Sequence, residues 1–203
     1  MDLSRIGAGW PVAAGMGNSE GVDMDATTLL RNDHQAVDRL FTQLAQTGPA
    51  DVHDRRLLFR LIKSELEAHS RVEEEVFYRA VMRLRSSQAR ESVRAALEEH
   101  QALDGLLAEI DQLEPDDPQF GPRMAALRQS VDRHVLAEEG ALFAEARIHL
   151  TDERLEALGR EMETRKIEHA AASLDHDDDA PFGTSASEKQ GASEPVRRGP
   201  RGR

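Results

Sequence analysis

Between residues 25 and 172 apolar side chains recur at alternating spacings of four and three, the signature of one face of an α-helix. Ala, Leu, Glu and Arg dominate this stretch, while the β-branched residues Val and Ile are sparse. The pattern predicts four long helices, over about 25–46, 54–85, 88–113 and 121–149, and a shorter one over about 152–172. Gly48-Pro49 breaks the first pair, Ser86-Ser87 the second and Pro115-Asp116-Asp117-Pro118 the third. Thr151 is placed to cap the fifth. Short connections between long helices make antiparallel neighbours. The expected fold is therefore all-α, an up-down-up-down four-helix bundle with an additional C-terminal helix. That fifth helix offers only Leu155, Leu158 and Met162 as a stripe, which suits either a helix laid across the bundle or a dimer contact.

The stripes of the four long helices are not purely apolar. The first reads Leu30, His34, Val37, Phe41, Leu44, and the second Ile62, Leu66, His69, Glu73, Val76, Ala80. The third reads Val93, Leu97, His100, then Leu103 or Asp104, then Leu107; the fourth reads Leu127, Val131, His134, Glu138, Ala141. Each stripe carries one histidine at a core position. Two carry a glutamate one turn later, rotated by only about 40° from its histidine. Glu74, Glu75 and Glu139 fall off that face and are expected to be solvated.

These histidines belong to an internal repeat. The segment Asp33-His34-Gln35-Ala36-Val37-Asp38 aligns with Glu99-His100-Gln101-Ala102-Leu103-Asp104, and His69-Ser70-Arg71-Val72-Glu73-Glu74 aligns with His134-Val135-Leu136-Ala137-Glu138-Glu139. The first two helices thus repeat as the third and fourth, and matching side chains are expected to meet near a two-fold axis. A buried unpaired carboxylate costs several kcal/mol, and four imidazoles in the same layer add further unmet polar atoms. Metal answers that need, because inward His and Glu from facing helices build di-iron and di-manganese carboxylate sites. A third HxxxE pair, His149–Glu153, spans the break at Thr151 and has no repeat mate, so it reads as coincidental. His53, His169 and His176 lie outside the repeated segments and read as surface histidines.

Composition narrows the rest. Residues 1–24 carry no apolar period, and residues 173–203 combine an acidic run, small residues and a basic end, so both are expected to be disordered. The bundle then occupies 25–150, with an accessory helix over 151–172. There is no cysteine, which removes disulfides, thiolate ligands and cysteine nucleophiles from consideration. A formal charge of −12 opposes phosphate binding, so no nucleic-acid partner is expected. Neither a long apolar run nor a secretory leader is legible, and a cytoplasmic monomer or homodimer without membrane contact is the expectation.

In these motifs the chain resembles the hemerythrin-like family of four-helix bundles, also called HHE cation-binding domains. The matching pieces are LLRNDHQAVDRLF around His34, HSRVEEEVFY from His69, LEEHQALDGLL around His100 and HVLAEEGALF from His134. The resemblance implies a non-haem centre of two iron ions, oxo- or hydroxo-bridged, with manganese as the alternative. His34, His69, His100 and His134 would be terminal ligands, and Glu73 and Glu138 the bridges. Oxygen-carrying members have a fifth histidine one turn after the third-helix histidine. Here that position is Asp104, with Asp38 as its repeat mate; each is an extra ligand or a residue that orients an imidazole. The chain therefore sits closer to a four-His, two-Glu subgroup, which includes proteins linked to iron–sulfur cluster repair and members that degrade peroxide. Arg79 stands where many members have a proline, so the second helix is expected to run on.

Tyr78, the single tyrosine, lies five residues after Glu73, as Phe143 does after Glu138; it is a packing residue or a proton donor near the metals. Six protein ligands do not fill two octahedral ions. The expected partner is therefore a small molecule: hydrogen peroxide, dioxygen or nitric oxide. The open readings are a catalase-like enzyme, a module that senses or stores oxygen, nitric oxide or iron, a structural bundle whose histidines bind adventitious metal, and an iron donor in cluster repair. The lack of cysteine weighs against the last.

Overall fold

The computed structural model describes residues 24–177, which form five helices and, within that span, no strand. Helix α1 is Ala26–Ala45. Helix α2 runs without interruption through Val52–Val72, a π-helical turn at Glu73–Phe77, and Tyr78–Met82. Helix α3 is Ser87–Asp111. Helix α4 repeats the composite build as Phe120–Ala137, a π-helical turn at Glu138–Leu142, and Phe143–His149. Helix α5 is Asp152–Asp177, so it continues past Ser173, where a disordered tail was expected to begin. Residues 1–23 and 178–203, which the sequence assigns to tails, lie outside the described residues.

Local chemistry sets the boundaries. The Asp25 side chain accepts hydrogen bonds from the Thr27 and Thr28 amides at 2.9 and 3.2 Å, occupying donors that the first turn of α1 leaves unpaired. Ser86 does the same for α3 through the Ala89 amide at 3.0 Å. At α5 the expected cap forms, with the Arg154 amide donating to Thr151 Oγ1 at 3.3 Å. His53 lies on the first turn of α2, which starts at Val52 rather than at 54. With Arg79 on its path, α2 runs on to Met82.

Two apolar clusters fill the bundle. One gathers Val37, Phe41, Phe59, Ile62, Leu107, Ile110, Phe120 and Leu127, among others, at the α1 C-terminal end. The other gathers Leu29, Leu30, Val76, Phe77, Val93, Leu142 and Phe143 at the opposite end. Every stripe histidine and both stripe glutamates lie between the two. Helix α5 joins only the second cluster, burying Leu155, Leu158 and Met162 as it packs on α1 and α2. This answers the question that its short stripe leaves open.

The seat of α5 is tight. A Cβ placed on Gly159 would stand 2.1 Å from the Met24 carbonyl oxygen and 3.1 Å from the Ala26 amide nitrogen. Backbone atoms cannot swing aside as a side-chain tip can. Helix propensity alone would reward Gly159→Ala by about 1 kcal/mol. We expect the opposite sign, a loss of about 1–3 kcal/mol from the forced displacement, read by urea unfolding. A stabilised variant would mean that α5 does not sit on the start of α1.

Asp25 gives a second test. Burial would raise its pKa, but the hydrogen bonds from Thr27 and Thr28 and the charge of Arg147 prevail and hold it at about 2 against an ordinary 3.8. A depressed carboxylate stabilises above its unfolded pKa and loses that contribution as pH falls through its folded one. The stability gap between wild type and Asp25→Ala should be about 1 kcal/mol at neutral pH and steady down to pH 3.8, narrowing toward pH 2. A gap unchanged across that window would refute the assignment.

Candidate metal centre

Six buried side chains meet between the apolar clusters. His34 comes from α1, His69 and Glu73 from α2, His100 from α3, and His134 and Glu138 from α4; none is more than 8% exposed. One ligand atom from each of His34, His69, Glu73, His134 and Glu138 lies within 4.8 Å of all the others. His100 completes the group, its Nε2 3.3 Å from Glu73 Oε2. Distances follow the repeat. His34 Nε2 is 3.2 Å from Glu138 Oε2, matching the His100–Glu73 contact across the axis. Within the helices His69 reaches Glu73 at 3.1 Å and His134 reaches Glu138 at 3.7 Å. The ring centroids pair likewise, His34–His69 at 4.8 Å and His100–His134 at 4.9 Å.

Each imidazole has its outer nitrogen on a carboxylate. His34 Nδ1 is 2.8 Å from Glu139 Oε1, and His100 Nδ1 is 2.8 Å from Glu74 Oε1. His69 Nδ1 lies 3.5 Å from Asp33, and His134 Nδ1 lies 3.2 Å from Glu99. These four acids, rather than Asp38 and Asp104, orient the rings. Asp38 is exposed and ion-paired with Arg128, and Asp104 is exposed beside Lys63 and Ser70. A position one turn along α1 or α3 from the histidine looks away from the axis, as Leu103, buried in place of Asp104, demonstrates. The expectation that Glu74 and Glu139 are merely solvated is likewise corrected: one step round from the inward glutamate, each faces the neighbouring helix and its histidine. Glu75 pairs with His169 of α5 at 2.9 Å, so neither is an isolated surface group. The signal was present in the sequence, since Asp33-His34 with Glu99-His100 and Glu73-Glu74 with Glu138-Glu139 are duplicated acids.

The π turns begin at the two inward glutamates. The Tyr78 amide donates to the Glu73 carbonyl, and the Phe143 amide to the Glu138 carbonyl, closing five-residue rings. In an α-helix a residue five positions on would point about 140° away. The wider turn returns it to the same face. Tyr78 Oη thus donates to Glu73 Oε2 at 3.2 Å, and its ring stacks on His100 at 5.5 Å. Phe143 stacks on His34 at 6.3 Å but has no hydroxyl to offer. The extra residue also corrects the fourth stripe: Ala141 is exposed and Leu142 is buried in its place. The coincidental pair stays apart, with His149 turned to Glu145 at 3.5 Å and Glu153 exposed.

This arrangement is short of positive charge. Carboxylates accept only, so they fix the imidazole proton on Nδ1 and leave the Nε2 lone pairs facing inward. The Nε2 atoms of His34 and His69 face each other at 3.2 Å. Glu73 Oε1, His134 Nε2 and both Glu138 oxygens have no hydrogen-bond donor although fully buried. Burial opposes charge on His69, yet the Glu73 carboxylate and hydrogen bonds to Asp33 and Glu73 push its pKa up to about 9. Burial would raise Glu73, but His69, His100 and His134 hold it well below the carboxylate range. Glu138 is pushed well above that range by burial and then by the Glu73 charge. Burial, with the neighbouring imidazoles, takes His134 down to about 3. Cations seated among these atoms satisfy all of them together. A donor set of imidazole nitrogen and carboxylate oxygen suits first-row transition metals such as iron and manganese.

Fold and donor set together define a metal-binding helical bundle. Residues 25–146 match the hemerythrin HHE cation-binding domain, and the chain belongs to that family. It is 33% identical over 148 residues to a protein from Nostoc sp. named DNA nickase, covering 73% of this chain. The chain spans only 41% of that relative's length. It is 26% identical over 143 residues to an uncharacterised protein of Mycobacterium tuberculosis, covering 70% of this chain and 85% of the relative. Among solved structures, an HHE domain-containing protein from Mycobacterium kansasii shares the fold with a TM-score of 0.64 at 22% identity, covering 74% of this chain and 90% of that one.

The outer carboxylates can be tested directly. Loss of a hydrogen-bonded orienting residue typically costs about 10–100-fold in metal affinity. We expect that loss in Glu74→Gln and Glu139→Gln, and no loss in Asp38→Asn or Asp104→Asn, by competitive metal titration. The reverse ranking would return the orienting role to the aspartates.

Proposed function

We propose that the chain holds two non-haem iron ions and degrades hydrogen peroxide, with dioxygen and nitric oxide as further small ligands of the same centre. The observation that carries this reading is the two-fold ligand set: two histidines on each side, with Glu73 and Glu138 between them. His34, His69, His100 and His134 with Glu73 and Glu138 would hold the ions. Bound there, a pair of irons supplies a two-electron exchange in which one peroxide is reduced to water and a second is oxidised to dioxygen.

The protein's own part is positional. The four outer carboxylates lock the rings, and the apolar clusters on either side exclude bulk water. Burial and both glutamates keep the Tyr78 phenol far above its ordinary pKa, so its proton stays on Oη. That hydroxyl donates to Glu73 Oε2 and lies 3.4 Å from His100 Nε2, a proton held at the edge of the centre. Small molecules have an approach. A groove of about 530 Å³ between α1 and α4, lined by Phe41, Val131, Val135 and Leu136, ends on His34 and Glu139. The match covers only 41% of the relative named a nickase, and the chain's charge of −12 does not favour a phosphate backbone.

The test begins with protein purified aerobically and analysed for metal, followed by an oxygen electrode trace on adding peroxide. We expect two irons per chain and oxygen release at half the rate of peroxide loss. His69→Ala and Glu138→Ala should lose both metal and turnover. Tyr78→Phe should retain the metal and slow turnover by about 10²–10⁴-fold, the scale of a lost proton donor. Rapid stoichiometric binding of peroxide, oxygen or nitric oxide without turnover would favour sensing or storage instead.

A further inference from the structure

The two-fold symmetry of the centre is broken by a part of the chain that has no repeat mate. On α5, Lys166 closes an ion pair with Asp33, the carboxylate that faces His69 Nδ1. One turn further on, His169 Nε2 reaches Glu75 Oε2 in the π turn of α2 at 2.9 Å. Both α5 contacts fall on the His34/His69 side. Across the axis, Glu99 faces His134; the charge of the exposed Arg133 acts on it, but among the described residues no lysine or arginine comes within ion-pair distance of it. The Asp33 and Lys166 side chains are each only 13% exposed, so solvent screens their charges weakly. Glu65 lies near the same pair, while its repeat mate, Ser130, carries no charge.

We infer that Lys166 is a positioning residue that makes the two metal positions unequal, weakening the one built on His34 and His69. This rests on the two-ion reading above. Two effects have the same sign. Lys166 draws on the Asp33 carboxylate, and the Asp33–His69 contact is the longer of the matched pair, 3.5 Å against 3.2 Å for Glu99–His134. A less strongly bonded Nδ1–H leaves Nε2 a poorer donor to metal. The ammonium is also a fixed positive charge close to a cation's seat. At the His100/His134 position the only lysine or arginine acting on the orienting carboxylate is the exposed Arg133, which makes no ion pair with Glu99 and is screened by solvent, and Tyr78 stacks on that side. Solvent reaches the weaker side through the groove that ends on His34. The weaker position is therefore the one that loads last and empties first.

The experiment is an anaerobic titration of the metal-stripped full chain with ferrous iron, followed by calorimetry and by chelator competition. Wild type should show two affinities at least tenfold apart. Lys166→Met should tighten the weaker step by about tenfold while leaving the stronger one in place, and Lys166→Arg should restore the wild-type curve. Asp33→Asn should weaken the same step further. A simple structural role for Lys166 would lower thermal stability without tightening either step, and that result would overturn the proposal. Two equal affinities in wild type would overturn it too. A chain that takes up one iron or none would instead refute the two-ion reading on which it stands.

Discussion

The structure depends on one electrostatic constraint, a polar layer placed where a helical bundle should be driest. Four imidazoles and two carboxylates lie between apolar clusters that bury large side chains from all four helices. Carboxylates isolated from water there are costly unless they are neutralised. Everything nearby works on that problem. The outer acids fix the imidazoles with lone pairs inward, and the single buried phenol donates its one hydrogen bond to Glu73. What the protein leaves undone is the charge at the centre, and this deficit makes the bundle a metal-binding domain rather than a simple packing unit.

Helical periodicity made much of this legible in the sequence. Spacings of four and three gave the four long helices, and the duplicated histidines placed all six inward groups on the buried stripes. Two features escaped it. The outer carboxylates look like surface residues because period arguments assign a side chain to the core or to solvent, and Glu74 and Glu139 are neither. They belong to the seams between helices, which are set by the packing partner rather than by the helix's own face. Their duplication was the available clue. The π turns also escaped, because a 3.6-residue period carried through Glu138 puts Ala141 inside when Leu142 is the residue buried.

Helix α5 shows another limit of pattern reading. Its stripe of Leu155, Leu158 and Met162 is short because it covers only one end of the bundle, and its hold on the centre is polar. Nothing in the spacing of Lys166 or His169 points to Asp33 or Glu75, which are far away in the chain. Such contacts exist only after the fold has been assembled. They add an unpaired element to a symmetric frame, and so they give each half of the centre its own surroundings.

The π turns also decide which way the far ends of α2 and α4 face. An extra residue in a regular helix would swing everything beyond it by about 100°, whereas the wider turn absorbs that residue and keeps Tyr78, Val81, Phe143 and Ala146 buried. Both halves of this chain have that extra residue at the same glutamate. The irregularity thus belongs to the repeated unit itself. One such unit carries a histidine on its first helix and HxxxE on its second, half of the inward group, so the centre is complete only where two units pack face to face.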